Sequence, residues 1–503
     1  MSAEESLKKR YLIKLLSNLI NGAINILFLA LVPKALGPVA YGQFSYLQQL
    51  FSQLFGLADA GTSMAFFTKL SSHPQRKELI SFYALYMGVV LIAISLFIYL
   101  LYTTALTQTL FPNIPKEYIV IGMGLGFLTW LNQIFIKISD AYALTVSVEI
   151  LKSIHKFISL GLLLYFLYYL TFDLTAYFQF NYIVSVLFIA LASLLFVRRN
   201  VFSSNLWRQR IHIVQNIKEF AHYSHPILLF SLVGVGIGMF DIWLLQSTGG
   251  AEQTGFYTLA YSVAAVSFLF TSSMTPIITR EFARSFTQGD MEKIRLHFKR
   301  YIPMLYSVAA FFAVFVALEA DHLIHLFSGE KFALAAPALS VIALYPIHQT
   351  YGQLSGSLFF ANGNTSQYRN IGLFTSLIGV IFTFIFLYVL NLGSLGLAYK
   401  MLITQLIGVS IQLYFNTVFL KIKIAPFLFH QIYALLFFIL AAFVSIFVTS
   451  SIQTPWINLA VCAVFYAGLT IIGTIIFPQI FATSRGEIKR LFFKKTKDTS
   501  VDA

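Results

Sequence analysis

Charge is what this sequence has least of. Asp, Glu, Lys and Arg make up 11% of its 503 residues, where a soluble domain carries roughly 25%. A chain that is 58% hydrophobic cannot cover itself with polar surface at this length, which excludes a cytoplasmic enzyme. Its solvent is lipid. Cysteine is nearly absent: Cys462, the only one, sits inside an apolar run, which excludes a disulfide framework and a Cys-based metal site. The sequence has no Walker-type glycine loop, no HExxH and no Cys/His cluster, so no cofactor, metal centre or ATPase of its own is expected. Acidic residues are outnumbered, 20 against 34 Lys and Arg, for a net charge of +14. Such an excess marks either a nucleic-acid partner or a polytopic protein with a basic cytoplasmic side, and position decides between them.

Long apolar runs are what the chain has instead. About fourteen are long enough to cross a hydrocarbon core of about 30 Å as helices of about 20 residues: 11–31, 42–68, 79–103, 117–139, 147–170, 177–197, 223–246, 255–279, 301–320, 334–361, 368–390, 395–419, 427–450 and 456–477. The first is full length and has no small-residue cleavage site after it, so it reads as an uncleaved span. With this count, all but four of the 34 basic residues fall on the side of the N-terminus. The exceptions are Lys34, Lys116 and Lys331 opposite, and Lys400 within a span. A missed helix would have scattered them over both faces. The expectation is an all-α polytopic protein of the inner (cytoplasmic) membrane, with both termini cytoplasmic and no nucleic-acid partner.

The connection from Arg198 to Tyr223 is the longest. It sets Trp207, Ile211, Val214 and Ile217 at helical spacing opposite Arg208, Arg210 and Lys218, as a helix lying on the membrane surface would. It divides the chain into a six-helix lobe over 1–197, a linker over 198–222 and a second six-helix lobe over 223–425. Spans 13 and 14 over 426–480 and a basic tail over 481–503 follow. The turn at Gly37-Pro38-Val39-Ala40-Tyr41-Gly42-Gln43-Phe44 is echoed at Gly250-Ala251-Glu252-Gln253-Thr254-Gly255-Phe256-Tyr257. Each pairs two glycines five apart with an aromatic two residues later, which is either ordinary turn chemistry or the trace of a duplicated half.

Charges at mid-bilayer cost about 2.5–3.5 kcal/mol each, so those that persist face a cavity or a partner. Asp241 is well inside span 7, Asp59 two-thirds along span 2, and Lys400 a few residues into span 12, near enough to the interface to bend outward. Glu319 stands at the outer end of span 9, where it either snorkels to the interface or serves function. Span 1 stacks Asn18, Asn21 and Asn25 on one face, either for interhelical hydrogen bonds or toward substrate. Gln49 and Gln53, Asn132 and Gln133, and His348, Gln349 and Gln353 add further polar faces, which together imply a hydrated interior. Lys152, His155, Lys156 and Ser159 share a face at the basic end of span 5. They form either a phosphate site or the ordinary interfacial collar. Pro346 should kink span 10.

Asp241, Gly255-Phe256-Tyr257-Thr258-Leu259-Ala260, Pro276-Ile277-Ile278-Thr279-Arg280 and Gly289-Asp290 form a spaced pattern. Leu36-Gly37-Pro38, Tyr41-Gly42 and Gly56-Leu57 before Asp59-Ala60-Gly61 precede it. Over about residues 10–420 the whole resembles the polysaccharide transporters, the lipid-linked oligosaccharide flippases of the multidrug/oligosaccharidyl-lipid/polysaccharide exporter superfamily. The resemblance implies a V-shaped pair of six-helix lobes around a central cavity that opens alternately to each side. The cargo it implies is a polyprenyl-diphosphate-linked sugar unit, moved to the outer leaflet for O-antigen, capsule, exopolysaccharide or teichuronic-type assembly. Partners would be that glycan, membrane lipids, and the glycan polymerase and glycosyltransferases of the same pathway. Spans 13 and 14 resemble the added pair that helps hold the lipid tail in the lipid II flippase. Span 1 has asparagines where that relative has an Arg-Asp pair, which argues against lipid II as cargo.

The expected function is a flippase whose polar residues Asn18, Asn21, Asn25, Gln49, Gln53, Lys152, His155, Lys156, His348, Gln353 and Lys400 line the cavity. A cation would couple at Asp241 or Asp59, the carboxylates placed to titrate in the lipid zone. A cation-coupled multidrug antiporter of the same superfamily is the first alternative, disfavoured by two spans beyond twelve. A glycan polymerase or membrane glycosyltransferase is the second. Such enzymes use a carboxylate in an early outer loop or a large outer domain, and the outer loops here are about 15 residues or fewer.

Overall fold

In lipid a backbone must satisfy its own hydrogen bonds, and a segment apolar on all sides does so as a helix. The computed structural model describes residues 7–59, 61–202, 212–268 and 275–486, apart from the side chains of 7–16, 18, 19, 222–231, 276 and 277. Among the described residues every regular element is helical: α1 (Leu7–Asp59), α2 (Thr62–Ser72), α3 (Glu78–Tyr102), α4 (Leu106–Leu110), α5 (Lys116–Ala141), α6 (Thr145–Tyr169), α7 (Leu174–Arg198), α8 (Ile213–Ala265), α9 (Thr275–Thr287), α10 (Met291–Leu318), α11 (Ala320–Ser328), α12 (Ala336–Ile342), α13 (Tyr345–Ala361), α14 (Thr365–Thr383), α15 (Gly393–Leu420), α16 (Ala425–Thr449) and α17 (Pro455–Ile476). Twelve helical stretches among them are long and apolar enough to cross a membrane. Two, Ile20–Asp59 and Leu232–Ala265, run to 40 and 34 residues and are broken within by Gly37 and Gly250. Each is longer than one crossing needs.

The departures from the expected spans have local causes. Span 42–68 stops at Asp59, because Gly61 takes φ +85° and a new helix, α2, starts behind it. Span 334–361 is divided at Ala343 and Leu344 into α12 and α13. Pro346 stands in the first turn of α13, where its missing N–H removes no helical bond, so the kink expected there is a break just upstream. Span 11 ends in a π-helical turn, Phe384–Val389. The helix that begins at Ile213 runs directly into span 7. Its Val214 and Ile217 are exposed, while Phe220 is buried against Phe82. Trp207, Arg208, Arg210 and Ile211 of the expected surface helix, and the basic tail beyond residue 486, lie outside the described residues.

By packing, the chain groups into two units. One takes the residues up to Thr258 with Thr383–Ser394; the other takes Leu259–Phe382 and the residues from Leu395 onward. In the first unit, α1 meets α5 along Leu47, Phe51 and Phe55, which lie directly over Gly122 and Gly126. A Cβ at Gly126 would stand 2.7 Å from that of Phe51, so these glycines set the interhelical distance. In the second unit the stripe Ala309, Ala310 and Ala313 of α10 is fully buried. Small side chains there allow close helix approach. Spans 13 and 14 belong to this unit's core: Phe438 of α16 and Tyr466 of α17 are buried with α10. The Tyr466 ring stacks on Phe311 at 4.9 Å, and its hydroxyl donates to the Phe311 carbonyl at 2.9 Å.

Candidate functional site

The two glycine turns of the sequence echo meet within the first unit. Gly37 and Gly250 carry φ +77° and +73° with extended ψ, a region open essentially to glycine alone. The second glycine of each turn makes the contact. A Cβ on Gly42 would stand 1.7 Å from the carbonyl oxygen of Ala251, and one on Gly255 would stand 2.2 Å from that of Pro38. Around this crossing, α8 is hooked to α4 and the segment after it. Trp243 Nε1 donates to the Thr109 carbonyl (2.7 Å) and Gln246 Nε2 to that of Pro112 (3.0 Å). Asp241, one turn toward the helix interior and 8% exposed, accepts from Thr383 Oγ1 at 2.6 Å. The Gln53 amide lies against Gly238, a turn before Asp241, with its Oε1 buried and unbonded.

Asp59 is fully engaged. It accepts from Ser63 N (3.0 Å), Ser63 Oγ (2.7 Å), Thr62 Oγ1 (3.2 Å) and Tyr83 OH (2.7 Å). Carboxylates suit a helix start because its first N–H groups have no helical partner, so Asp59 holds the break between α1 and α2. Beside it a cavity of about 310 Å³ opens between α1 and α5, lined among others by Ser52, Thr129, Trp130, Gln133 and Lys137. The Trp130 indole stacks on Phe55 at 5.7 Å, and its buried Nε1 has no hydrogen-bond partner. Lys137 Nζ stands 5.7 Å over the Phe67 ring. A cation, a carboxylate, an amide, hydroxyls and an indole thus converge on one hole beside apolar spans.

The other expected residues are dispersed. Lys152 donates to the buried Glu149 at 3.0 Å, and Glu149 also accepts from Ser17 Oγ at 3.2 Å. Asn21 Nδ2 donates to the same Ser17 Oγ (3.1 Å), and its Oδ1 is left unbonded. Asn25 is exposed, and the Asn18 side chain lies outside the described residues. His155 donates to the Val184 carbonyl (2.9 Å), while Lys156 lies 4.6 Å over the Phe28 ring. The four residues of that face therefore do not converge on one point. Gln49 is half-buried and Gln353 exposed. His348 is buried edge-on to Tyr306, and Lys400, 4% exposed, packs its Cε against Gly379. Glu319 is buried, accepting from His322 Nδ1 (2.7 Å) and Cys462 Sγ (3.4 Å). Lys137 and Trp130 were not singled out in the sequence, although Lys137 follows Gln133 by one turn on the same face. Glu149 was missed too, although it precedes Lys152 by three.

Outside the spans, Glu219 receives Lys69 at 2.7 Å and stands 3.6 Å from Arg76. The Lys69 hydrogen bond, then that of Gln215 and the charges of Lys69 and Arg76, hold its carboxyl below the usual carboxylate range against the opposing effect of burial. Arg76 also donates to Asn216 (3.1 Å), so the start of α8 is tied to the turn after α2. Among the described residues no cluster of His, Cys, Asp and Glu has the numbers to hold a metal ion.

Comparison with known proteins fits this geometry. The structure of "Lipid II flippase MurJ, inward closed conformation" superposes with a TM-score of 0.68 at 15% identity, covering 92% of this chain and 98% of that one. An inward-facing multidrug resistance MATE family transporter of the MOP superfamily gives 0.58 at 19%, covering 84% and 96%. These likenesses show a shared fold, that of MOP superfamily transporters. The Bacillus subtilis (strain 168) "Teichuronic acid biosynthesis protein TuaB" is 28% identical over 152 residues, which is 30% of this chain and 31% of that relative's length. A family model described as "Polysaccharide biosynthesis protein" matches residues 7–282. With more than half its length matched, and with twelve helical stretches fit to cross a bilayer, this multi-pass membrane chain belongs to the polysaccharide biosynthesis protein family.

Proposed function

We propose that the chain is a flippase. It carries polyprenyl-diphosphate-linked oligosaccharide units across the cytoplasmic membrane by alternating access, with both termini on the cytoplasmic side, and serves assembly of a cell-surface polysaccharide alongside the polymerase and glycosyltransferases of that pathway. The observation that carries this reading is the polar cavity beside Asp59. An isolated headgroup of phosphates and hydroxyls cannot enter lipid without losing its hydrogen bonds at large cost. Lys137 offers phosphate a positive charge, Gln133, Ser52 and Thr129 offer hydroxyls amide and hydroxyl partners, and the Trp130 and Phe55 rings offer a sugar an apolar face. Within the same unit, Asn21 and Gln53 would keep the rest of the path wet. Asp241 is our choice for the coupling carboxylate, and Asp59 is assigned to the helix break.

Family membership favours this over multidrug antiport, whose fold the chain also shares. The test is to deplete the protein in its host and follow lipid-linked oligosaccharide by leaflet. Accumulation on the inner leaflet, reversed by the intact chain and not by Lys137→Ala, is expected. Drug sensitivity with normal surface glycan would replace this reading with antiport, and unextended units on the outer leaflet would replace it with polymerisation.

A further inference from the structure

The second unit contains a basic cavity that the proposed path does not use. Lys299 of α10, Lys421 and Lys423 of the turn between α15 and α16, and His430 of α16 line a space of about 590 Å³ floored by Pro303 and Phe427. No carboxylate is among its lining residues. Lys421 holds its place in a left-handed conformation, φ +54°, which a side chain adopts at some cost. The carbonyl of Leu420 beside it is covered by Arg295 Nε at 2.8 Å. The cavity also lies at the start of α16, the positive end of a 25-residue helix.

His430 distinguishes this place from an ordinary basic collar. The ring is 9% exposed, and its Nε2 donates to the Ile480 carbonyl at 3.1 Å. Ser307 Oγ donates to that same carbonyl. In the neutral imidazole with its proton on Nε2, Nδ1 is the acceptor, and it is buried with no hydrogen-bond partner. A cavity lined by three lysines, no carboxylate and a histidine with an orphaned acceptor suits a ligand that brings negative charge to the lysines and an O–H to Nδ1. On the same helix Phe429 and Ile432 are exposed, as suits a surface that meets acyl chains.

We propose that this cavity seats the headgroup of an anionic phospholipid that carries a hydroxyl, of the phosphatidylglycerol type. The lysines hold the phosphate as point charges, and Nδ1 accepts the headgroup hydroxyl. The site stands whether or not the chain moves a glycan lipid.

The test uses the purified full-length chain in detergent and native mass spectrometry with short-chain phosphatidylglycerol, phosphatidic acid, phosphatidylcholine and inorganic phosphate. The intact chain is expected to retain phosphatidylglycerol over phosphatidylcholine. Lys421→Ala with Lys423→Ala should weaken that retention roughly thirtyfold, at about one step per basic residue. His430→Gln, which keeps a donor for Ile480 and vacates the Nδ1 position, should erase the preference for phosphatidylglycerol over phosphatidic acid. If the double alanine variant fails to fold, Lys421→Arg with Lys423→Arg, expected to retain the lipid, and Lys299→Ala, expected to lose it, replace it. Equal retention of phosphatidylcholine, retention unchanged in the lysine variants, or displacement of the lipid by equimolar inorganic phosphate would each overturn the proposal.

Discussion

Gly42 and Gly255 lie against each other's turns so closely that neither has room for a methyl group: the backbone nitrogen of Gly255 is 2.8 Å from where a Gly42 Cβ would stand. These are the second glycines of the two echoed turns. The first glycines bend the chain, and the second allow the two bends to touch. The recurrence in sequence is thus matched by a reciprocal contact, which ordinary turn chemistry does not require.

Alanine at Gly42 or Gly255 forces backbone against backbone, with no flexible side chain to yield. Overpacking costs about 1–3 kcal/mol in well-packed cores, and these two positions should fall at or beyond the top of that range. Gly234→Ala and Gly236→Ala, where nothing lies within 4 Å, should leave stability within about 0.5 kcal/mol. Thermal unfolding of the detergent-purified variants, followed by size-exclusion fluorescence, separates the two classes.

Gly250 fails differently. The atom nearest to an added Cβ would be Asn113 Nδ2, at a comfortable 3.9 Å, but the glycine's φ is +73°. Gly250→Ala should therefore cost about 1–3 kcal/mol of conformational strain without a clash. Retained folding with a lowered melting temperature is the expected result, and a melting temperature equal to that of the unaltered chain would contradict the strain.

The two membrane carboxylates should part company on substitution. Asn is nearly as good a helix cap as Asp, so Asp59→Asn should fold and export glycan. Asp59→Ala should lose about 0.5–2 kcal/mol and leave the Tyr83 hydroxyl one acceptor short. Asp241→Asn retains an oxygen for Thr383 and should fold, yet abolish export. Export assays paired with melting curves decide the matter: full export by Asp241→Asn removes that carboxylate from coupling, and lost export by a stable Asp59→Asn gives Asp59 a charge role.

Acid should loosen the start of α8. The folded-state pKa of Glu219 is depressed by Lys69, then Gln215 and Arg76, so its contribution is present above the unfolded carboxyl value of about 4.3. It is lost as pH falls through the lower folded value. Below about pH 4, hydrogen exchange of amides 213–220 should rise toward that of Glu219→Gln measured at the same pH. The difference between the two should also shrink in high salt, as for any partly exposed pair.

The sequence by itself determined the solvent of this protein, its all-helical class, the positions of most helices and the recurrence of the glycine turn. Composition and run length suffice for these because a bilayer leaves the backbone few choices. Only the tertiary structure decided what each polar side chain does. Spacing along one helix says which residues share a face, but not what that face meets. Lys152 shares a face with His155 and Lys156, yet it is neutralised by Glu149, which in turn is met by Ser17, 132 positions away in the chain. His155 and Lys156 are drawn off to Val184 and Phe28. Asp59 looked like a lone charge in a span because the helix break it caps is made by a single glycine, Gly61, whose left-handed φ its residue type permits and whose neighbours in sequence do not announce it.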